Sequence, residues 1–149
     1  MRDLLVRAWH AAGPLQGWIA WRLHARFGVG VTGIVRTPDG QVLLLRHRLW
    51  PQHYQWGFPS GFARRSEPFP DTVVREVREE TGLTVRVGRL AELRSGFRYR
   101  VEVYYEATLA GGLDGLVIEE REILEARLFP LGALPANMPP LHRELARRP

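Results

Sequence analysis

Between Gly61 and Leu83 the chain reads G-x5-E-x7-R-E-V-R-E-E-T-G-L, a run of 23 residues whose charge pattern restricts both the local fold and the chemistry it can support. A helix turns about 100° per residue, so Glu76, Glu79 and Glu80, spaced i, i+3 and i+4, direct their carboxylates to nearly one side. Crowded carboxylates repel, and a Glu76/Glu80 pair by itself disfavours the helix. A positive charge has to compensate them. A hard divalent cation, Mg2+ or Mn2+, takes oxygen ligands and keeps waters that a phosphate can displace, which makes it the natural candidate. The alternative, a solvated face laced by i,i+4 pairs such as Arg75 with Glu79, accounts for the glutamates alone. It leaves Gly61, Glu67 and Gly82, at fixed offsets from them, without a reason.

The punctuation around these residues predicts a helix over about Phe69–Thr81. Pro70 falls in the first turn, where its missing N–H is harmless, and Asp71 complements the positive end of the helix dipole. Gly82 then ends the helix. Upstream, Val29, Val31 and Ile34-Val35 lead into the turn Thr37-Pro38-Asp39-Gly40, and Gln41 to Arg46 returns, which reads as a hairpin. Downstream, Thr84 to Glu92 and Phe97 to Leu109 read as extended. In the second of these, Phe97, Tyr99, Val101, Val103, Tyr105 and Ala107 alternate with Arg98, Arg100, Glu102, Tyr104 and Glu106, the pattern of a half-buried strand. Gly111, Gly112 and Gly115 mark a loop before a last strand, Ile123 to Phe129, and a short helix is expected from Pro140 to Arg147. Strands on either side of one patterned helix predict a mixed α/β or α+β domain over 28–139, with 140–149 as a C-terminal helix and tail.

Residues 1–27 follow a different rhythm. Leu4, Leu5, Ala8 and Trp9, then Leu15, Trp18, Ile19 and Leu23, recur at helical spacing around a break at Gly13-Pro14, which predicts two amphipathic helices. No apolar run approaches the roughly 18 residues of a bilayer span, and no signal-peptide cleavage pattern follows a hydrophobic core. The segment is expected to pack on the rest of the chain or on a second copy in a homodimer, with attachment to a membrane surface as the alternative. The chain has no cysteine, which excludes disulfides, thiolate metal sites and cysteine nucleophiles and accords with a cytoplasmic setting. All 21 basic residues are arginine, and the net charge of +5 is spread along the chain, so charge alone implies no nucleic-acid surface.

The Gly61–Leu83 run resembles the signature box of the Nudix hydrolases, with every fixed position filled. Val42 to Arg46 and Trp56 to Ser60 are similar to the family's approach to the box, and Glu122 to Leu131, closing at Leu134-Pro135, to its late strand and exit turn. The resemblance implies the Nudix fold, a mixed β-sheet sandwiched between α-helices, here with the extra N-terminal helical segment. It also implies a metal-dependent pyrophosphohydrolase in which water directly attacks a nucleoside diphosphate linked to another moiety. No P-loop and no phosphorylatable nucleophile stand in the box.

Carried onto this chain, the resemblance makes Glu76 and Glu80 direct ligands of Mg2+ (or Mn2+), with Glu79 a ligand or a partner of the ligands. Glu67 orients the others or joins a second ion, the Ser60 carbonyl is a further ligand, and Arg75 positions the glutamates. Ser60 and Ser66 stand where the family usually has glycine. The general base is a box glutamate or one from the later loop, where Glu119 and Glu120 are favoured and Glu122 lies close by. For substrate, Trp50, His53, Tyr54 and Trp56 offer faces for a base, and Arg46, Arg48, Arg64 and Arg65 offer guanidinium groups for phosphates. Tyr99 falls near a tyrosine position of family members acting on diadenosine polyphosphates, and its alternation also fits a core residue. Two other classes are carried alongside: a Nudix-fold sensor that binds a nucleotide without turnover, and a small basic nucleic-acid-binding module.

Overall fold

β1 (Gly28–Arg36) is the strand around which the domain is assembled in the computed structural model, which describes residues 26–148 together with Gly13, Trp18 and Arg22. The helices expected over residues 1–27 fall almost entirely outside the described residues. β1 runs parallel to β6 (Arg100–Leu109), in register from Gly28 opposite Arg100 to Arg36 opposite Thr108. On its other side it pairs antiparallel with β4 (Ser60–Phe62), and it meets β2 (Val42–His47) only where Arg36 faces Val42. β2 is flanked by β3 (Trp56–Gly57) and β7 (Ile123–Phe129), and β5 (Val85–Arg94) pairs with β6 at the far edge. The result is one mixed seven-stranded sheet.

The turn at Thr37–Gly40 forms as expected, with the Gly40 N–H donating to the Thr37 carbonyl and Gly40 at φ 87°. The hairpin does not continue beyond it. The segment carrying Phe58 to Phe62 wedges between the two strands, where the Gly33 N–H donates to the Pro59 carbonyl, so β1 pairs with β4 and β2 with β7. This divergence brings the first residues of the charged segment onto the sheet.

α1 (Phe69–Thr81) and α2 (Pro140–Arg147) cover opposite faces. Val73 and Val77 of α1 pack with Val31, Val35, Leu43 and Leu45, and Leu145 of α2 with Ile34, Val42, Leu44, Phe58 and Tyr104. Alternate residues of one strand thus enter alternate cores, which is why the strands are nearly continuous hydrophobic runs. Each fully buried aliphatic side chain contributes about 1.5–3 kcal/mol. The same double coverage corrects the reading of the sixth strand: Tyr104, on its supposedly solvated face, is 2% exposed, and Phe97 to Tyr99 precede the strand.

Helix α1 lies close to β1 because Gly33 has no side chain. A Cβ there would stand 2.7 Å from Val73 Cγ1, whereas one at Gly30, on the opposite face, would meet nothing nearer than 3.9 Å. Gly33→Ala is therefore expected to destabilise the protein by about 1–3 kcal/mol, and Gly30→Ala to change stability far less. Urea unfolding of the two variants checks this, and equal stabilities would contradict the close helix packing.

Candidate active site

The three glutamates of α1 fan out across the boundary between core and solvent. Glu80 continues the buried stripe of Val73 and Val77 and is 6% exposed; Glu76 is half-buried; Glu79 is exposed. Among the described residues, the buried Glu80 carboxylate accepts a single hydrogen bond, from the Ser60 N–H at 3.1 Å. Burial, reinforced by the charge of Glu76 and further by Glu122 and Glu79, pushes its pKa up to about 9. Burial likewise raises Glu76.

Arg75 organises the outer part of the fan. Its guanidinium donates to both oxygens of Glu67 at 2.7 and 3.0 Å, to Glu76, to Glu79 at 3.0 Å and to the Phe62 carbonyl at 3.0 Å. Glu67 also accepts from the Arg64 N–H and the Thr72 hydroxyl. The Arg75 hydrogen bonds, above all, hold its pKa down to about 2. Ser66, just before it, adopts φ 63°, the only non-glycine positive φ among the described residues and a conformation that glycine adopts without steric cost. At Gly61 an added Cβ would collide with the Glu76 carboxylate, so the missing side chain is what admits that carboxylate to the strand.

A loop from the far side completes the cluster. Helix α1 ends with Gly82 at φ 71°, its N–H returning to the Arg78 carbonyl. The neighbouring Glu80 and Thr81 carbonyls accept N–H groups of Glu119 and Val117, so the helix terminus captures the 110–122 loop. Glu122 is thereby carried to the cleft beside Ser60 and Gly61. The favoured Glu119 and Glu120 do not line the cleft: a Glu119 carboxylate oxygen caps the Glu122 N–H at 3.0 Å, and the main-chain carbonyl of Glu120 accepts from Arg48 at 2.9 Å.

The cleft, about 590 Å³, extends from Ser60, Gly61 and Glu122 across the bare backbone of Gly30 to Trp50, Tyr54 and His142. Trp50 stacks on the buried His47 at 4.0 Å, and its ring occupies the space that a side chain at Gly57 would take. Of the residues expected to contact substrate, Trp50 and Tyr54 line this cleft. Trp56 does not: it is buried edge-on against Phe129, with no free face. Arg46 is directed to Glu125, Arg48 braces the loop, Arg64 pairs with Glu79 at 3.0 Å, and the 65% exposed Tyr99 lies outside the cleft with Arg98 over its ring. Phe62, Arg100, Glu102 and His142 line it without having been expected. The alternation of Arg100, Glu102 and Tyr104 was the available signal, read as a solvated face.

A family model for the NUDIX domain matches residues 26–148. The chain belongs to the NUDIX family. It is similar to an ADP-ribose pyrophosphatase of Methanocaldococcus jannaschii, at 36% identity over 70 residues, 47% of this chain and 41% of that protein. It is also similar to Nudix hydrolase 8 of Arabidopsis thaliana, at 28% identity over 113 residues, 72% of this chain and 31% of that protein. The chain thus spans less than half the length of these curated relatives. A NUDIX hydrolase from Nitrosomonas europaea has the same fold, with a TM-score of 0.73 at 24% identity over 84% of this chain and 70% of that one.

Among the described residues of this NUDIX domain, no three acidic or histidine side chains converge on one point, because Glu76 is turned onto Arg75. The donor set nevertheless suits a hard cation: Ser60 lies with Glu122 on the cleft wall and binds the Glu80 carboxylate through its N–H, Gly61 stands against the Glu76 carboxylate, and Glu80 is a buried carboxylate short of positive charge.

Two pH dependences follow. A raised Glu80 pKa contributes stability below the ordinary carboxylate value near 4.5 that is lost as pH rises toward about 9. In chelator, Glu80→Gln is expected to be more stable than the parent by about 1–3 kcal/mol at pH 8, with the gain shrinking toward pH 5. His47 and His142 act in the opposite sense, since burial lowers both to about 4 from the ordinary 6.5. Unfolding protonates them, so they stabilise above 6.5 and that stability is lost as pH falls toward 4. Urea titrations from pH 4.5 to 8.5 measure both effects; a Glu80→Gln difference that does not vary with pH would refute the first.

Proposed function

We propose that this chain is a divalent-cation-dependent pyrophosphohydrolase that cleaves a nucleoside diphosphate linked to another group by direct attack of water. The observation that carries the reading is the buried Glu80 carboxylate, poor in hydrogen-bond donors among the described residues and bound to the N–H of Ser60, a residue that lines an aromatic-walled cleft. In this reading Glu76, Glu80 and the Ser60 carbonyl hold Mg2+ or Mn2+, with Glu79 and Glu67 as further ligands or partners of the ligands. The bound cation supplies neutralisation of the diphosphate oxygens and acidification of the attacking water.

The remaining work falls to the chain itself. Glu122, at the cleft wall and free of the backbone duty that engages Glu119, takes the proton from water as its oxygen attacks phosphorus. The P–O bond to the leaving phosphate breaks on the opposite side, giving a nucleoside monophosphate and the phosphorylated second moiety. Arg75 holds Glu67 and Glu79 so that the carboxylates keep their places as charge moves. The ADP-ribose pyrophosphatase relative supports a nucleotide derivative, in preference to a polynucleotide, as the partner.

Chelation should abolish turnover and added Mg2+ or Mn2+ restore it, while Glu80→Gln should lower kcat by roughly three orders of magnitude or more. Glu122→Gln is expected to lower kcat by about 10²–10⁴, with Glu119→Gln and Glu120→Gln within about tenfold of the parent. Hydrolysis in ¹⁸O-labelled water should place one heavy oxygen on a single phosphoryl product. Full turnover in chelator would overturn the cation dependence, a covalent phosphoenzyme on the path would overturn direct water attack, and an unimpaired Glu122→Gln would remove that residue as base.

A further inference from the structure

Beyond the carboxylate cluster the cleft carries one more anionic side chain in an aromatic setting. Arg100, Glu102 and Tyr104 sit at i, i+2 and i+4 on β6 and all line the cleft, so they form a row on one face of the strand. Arg100 binds one oxygen of Glu102 at 2.7 Å, and the Tyr104 hydroxyl donates to the other at 2.9 Å. Tyr104 is itself nearly buried, with its ring edge-on to His142, and burial keeps its phenol protonated as a donor. Glu102 is thus held from both sides, and its side chain is only 18% exposed.

Each carboxylate oxygen accepts about two hydrogen bonds, and each has one partner here, so one acceptor position per oxygen is left for a ligand. Two adjacent acceptors in a fixed plane match two adjacent donors. An acceptor of the ligand placed there would instead leave a largely desolvated carboxylate unanswered, which is how a buried polar group discriminates. Access comes from β1: Gly30 faces Glu102 across the parallel pair, and because it has no side chain the cleft floor is bare backbone between this row and the carboxylate end at Ser60 and Gly61.

We propose that Glu102 is the specificity-determining residue of the cleft, selecting a nucleoside that presents two adjacent hydrogen-bond donors, either the vicinal hydroxyls of a ribose or the N1–H and N2–H edge of a guanine. Trp50 and Tyr54, which line the same cleft, provide the aromatic surface against which that nucleoside lies. This deepens the hydrolase reading by assigning the substrate class at the same cleft and rests on that reading for the reaction itself.

Calorimetric binding of nucleoside monophosphates in chelator tests the assignment without turnover. The ribose arm compares AMP with 2′,3′-dideoxy-AMP, and the guanine arm compares GMP with IMP, which lacks the N2 amino group. The parent should discriminate in one arm by roughly 10- to 100-fold, and Glu102→Gln should erase that preference. Tyr104→Phe should keep it, because the carboxylate and Arg100 remain, which separates recognition from support of the fold. Gly30→Leu, judged folded by its melting curve, should lose affinity for all four ligands. Discrimination in neither arm, a preference unchanged in Glu102→Gln, or full affinity in Gly30→Leu would overturn the proposal. Discrimination by a chain that never hydrolyses a diphosphate would overturn the hydrolase reading and leave this one standing, and metal-dependent turnover without discrimination would do the reverse.

Discussion

The placement of one carboxylate in the apolar stripe of a helix governs this molecule. Glu80 occupies a helical position that packing would assign to an aliphatic residue, and its neighbours raise its proton affinity instead of satisfying its charge. Such a position stores unfavourable electrostatic energy in the folded chain, so any ligand that compensated the buried charge would be linked to fold stability at a single atom group. Several neighbouring features serve to tolerate this arrangement. The Ser60 amide gives Glu80 its one internal donor, the missing Gly61 side chain makes room for Glu76, and the Arg75 guanidinium neutralises the glutamates nearest to solvent.

Arg75 also fixes how the site is arranged before any ion binds. Its planar fork engages three glutamates and a backbone carbonyl together, a task for which the ammonium of lysine lacks the geometry. The arginine is therefore an internal counter-ion. Under the proposed cation binding Glu76 would exchange that partner for the ion, whereas Glu67 is held by three different residues.

Most of the backbone was legible because local signals agreed. Pro70, Asp71 and Gly82 delimited the box helix, and the Gly111–Gly115 loop marked off the last strand, as found at Phe69–Thr81 and Ile123–Phe129; the C-terminal helix lies where it was expected, at Pro140–Arg147. What escaped the reading depends on contacts remote in sequence. The early strands could not be seen to diverge, because the wedge between them comes from Phe58 to Phe62. That Glu122, and not Glu119 or Glu120, lines the cleft could not be foreseen, since it follows from the capture of loop amides by the helix carboxy-terminus. Trp56 and Tyr104 entered the core for a related reason: a sheet covered on both faces buries side chains that a one-sided strand would leave in water.

The glycines of β1 divide their duties between the two faces of one strand. Gly33 seats the catalytic helix, and Gly30 is the bare floor of the cleft beneath Glu102. Neither carries a functional group, yet one sets where the carboxylates stand and the other what can lie beside them. Descendants of this sequence can therefore exchange wall residues such as Trp50 or Tyr54 to change what they bind, while the Gly-Val-Gly-Val-Thr-Gly stretch has little freedom to drift. Diversification of ligand preference is channelled into the walls, and the strand beneath them is a shared evolutionary constraint on shape and on chemistry.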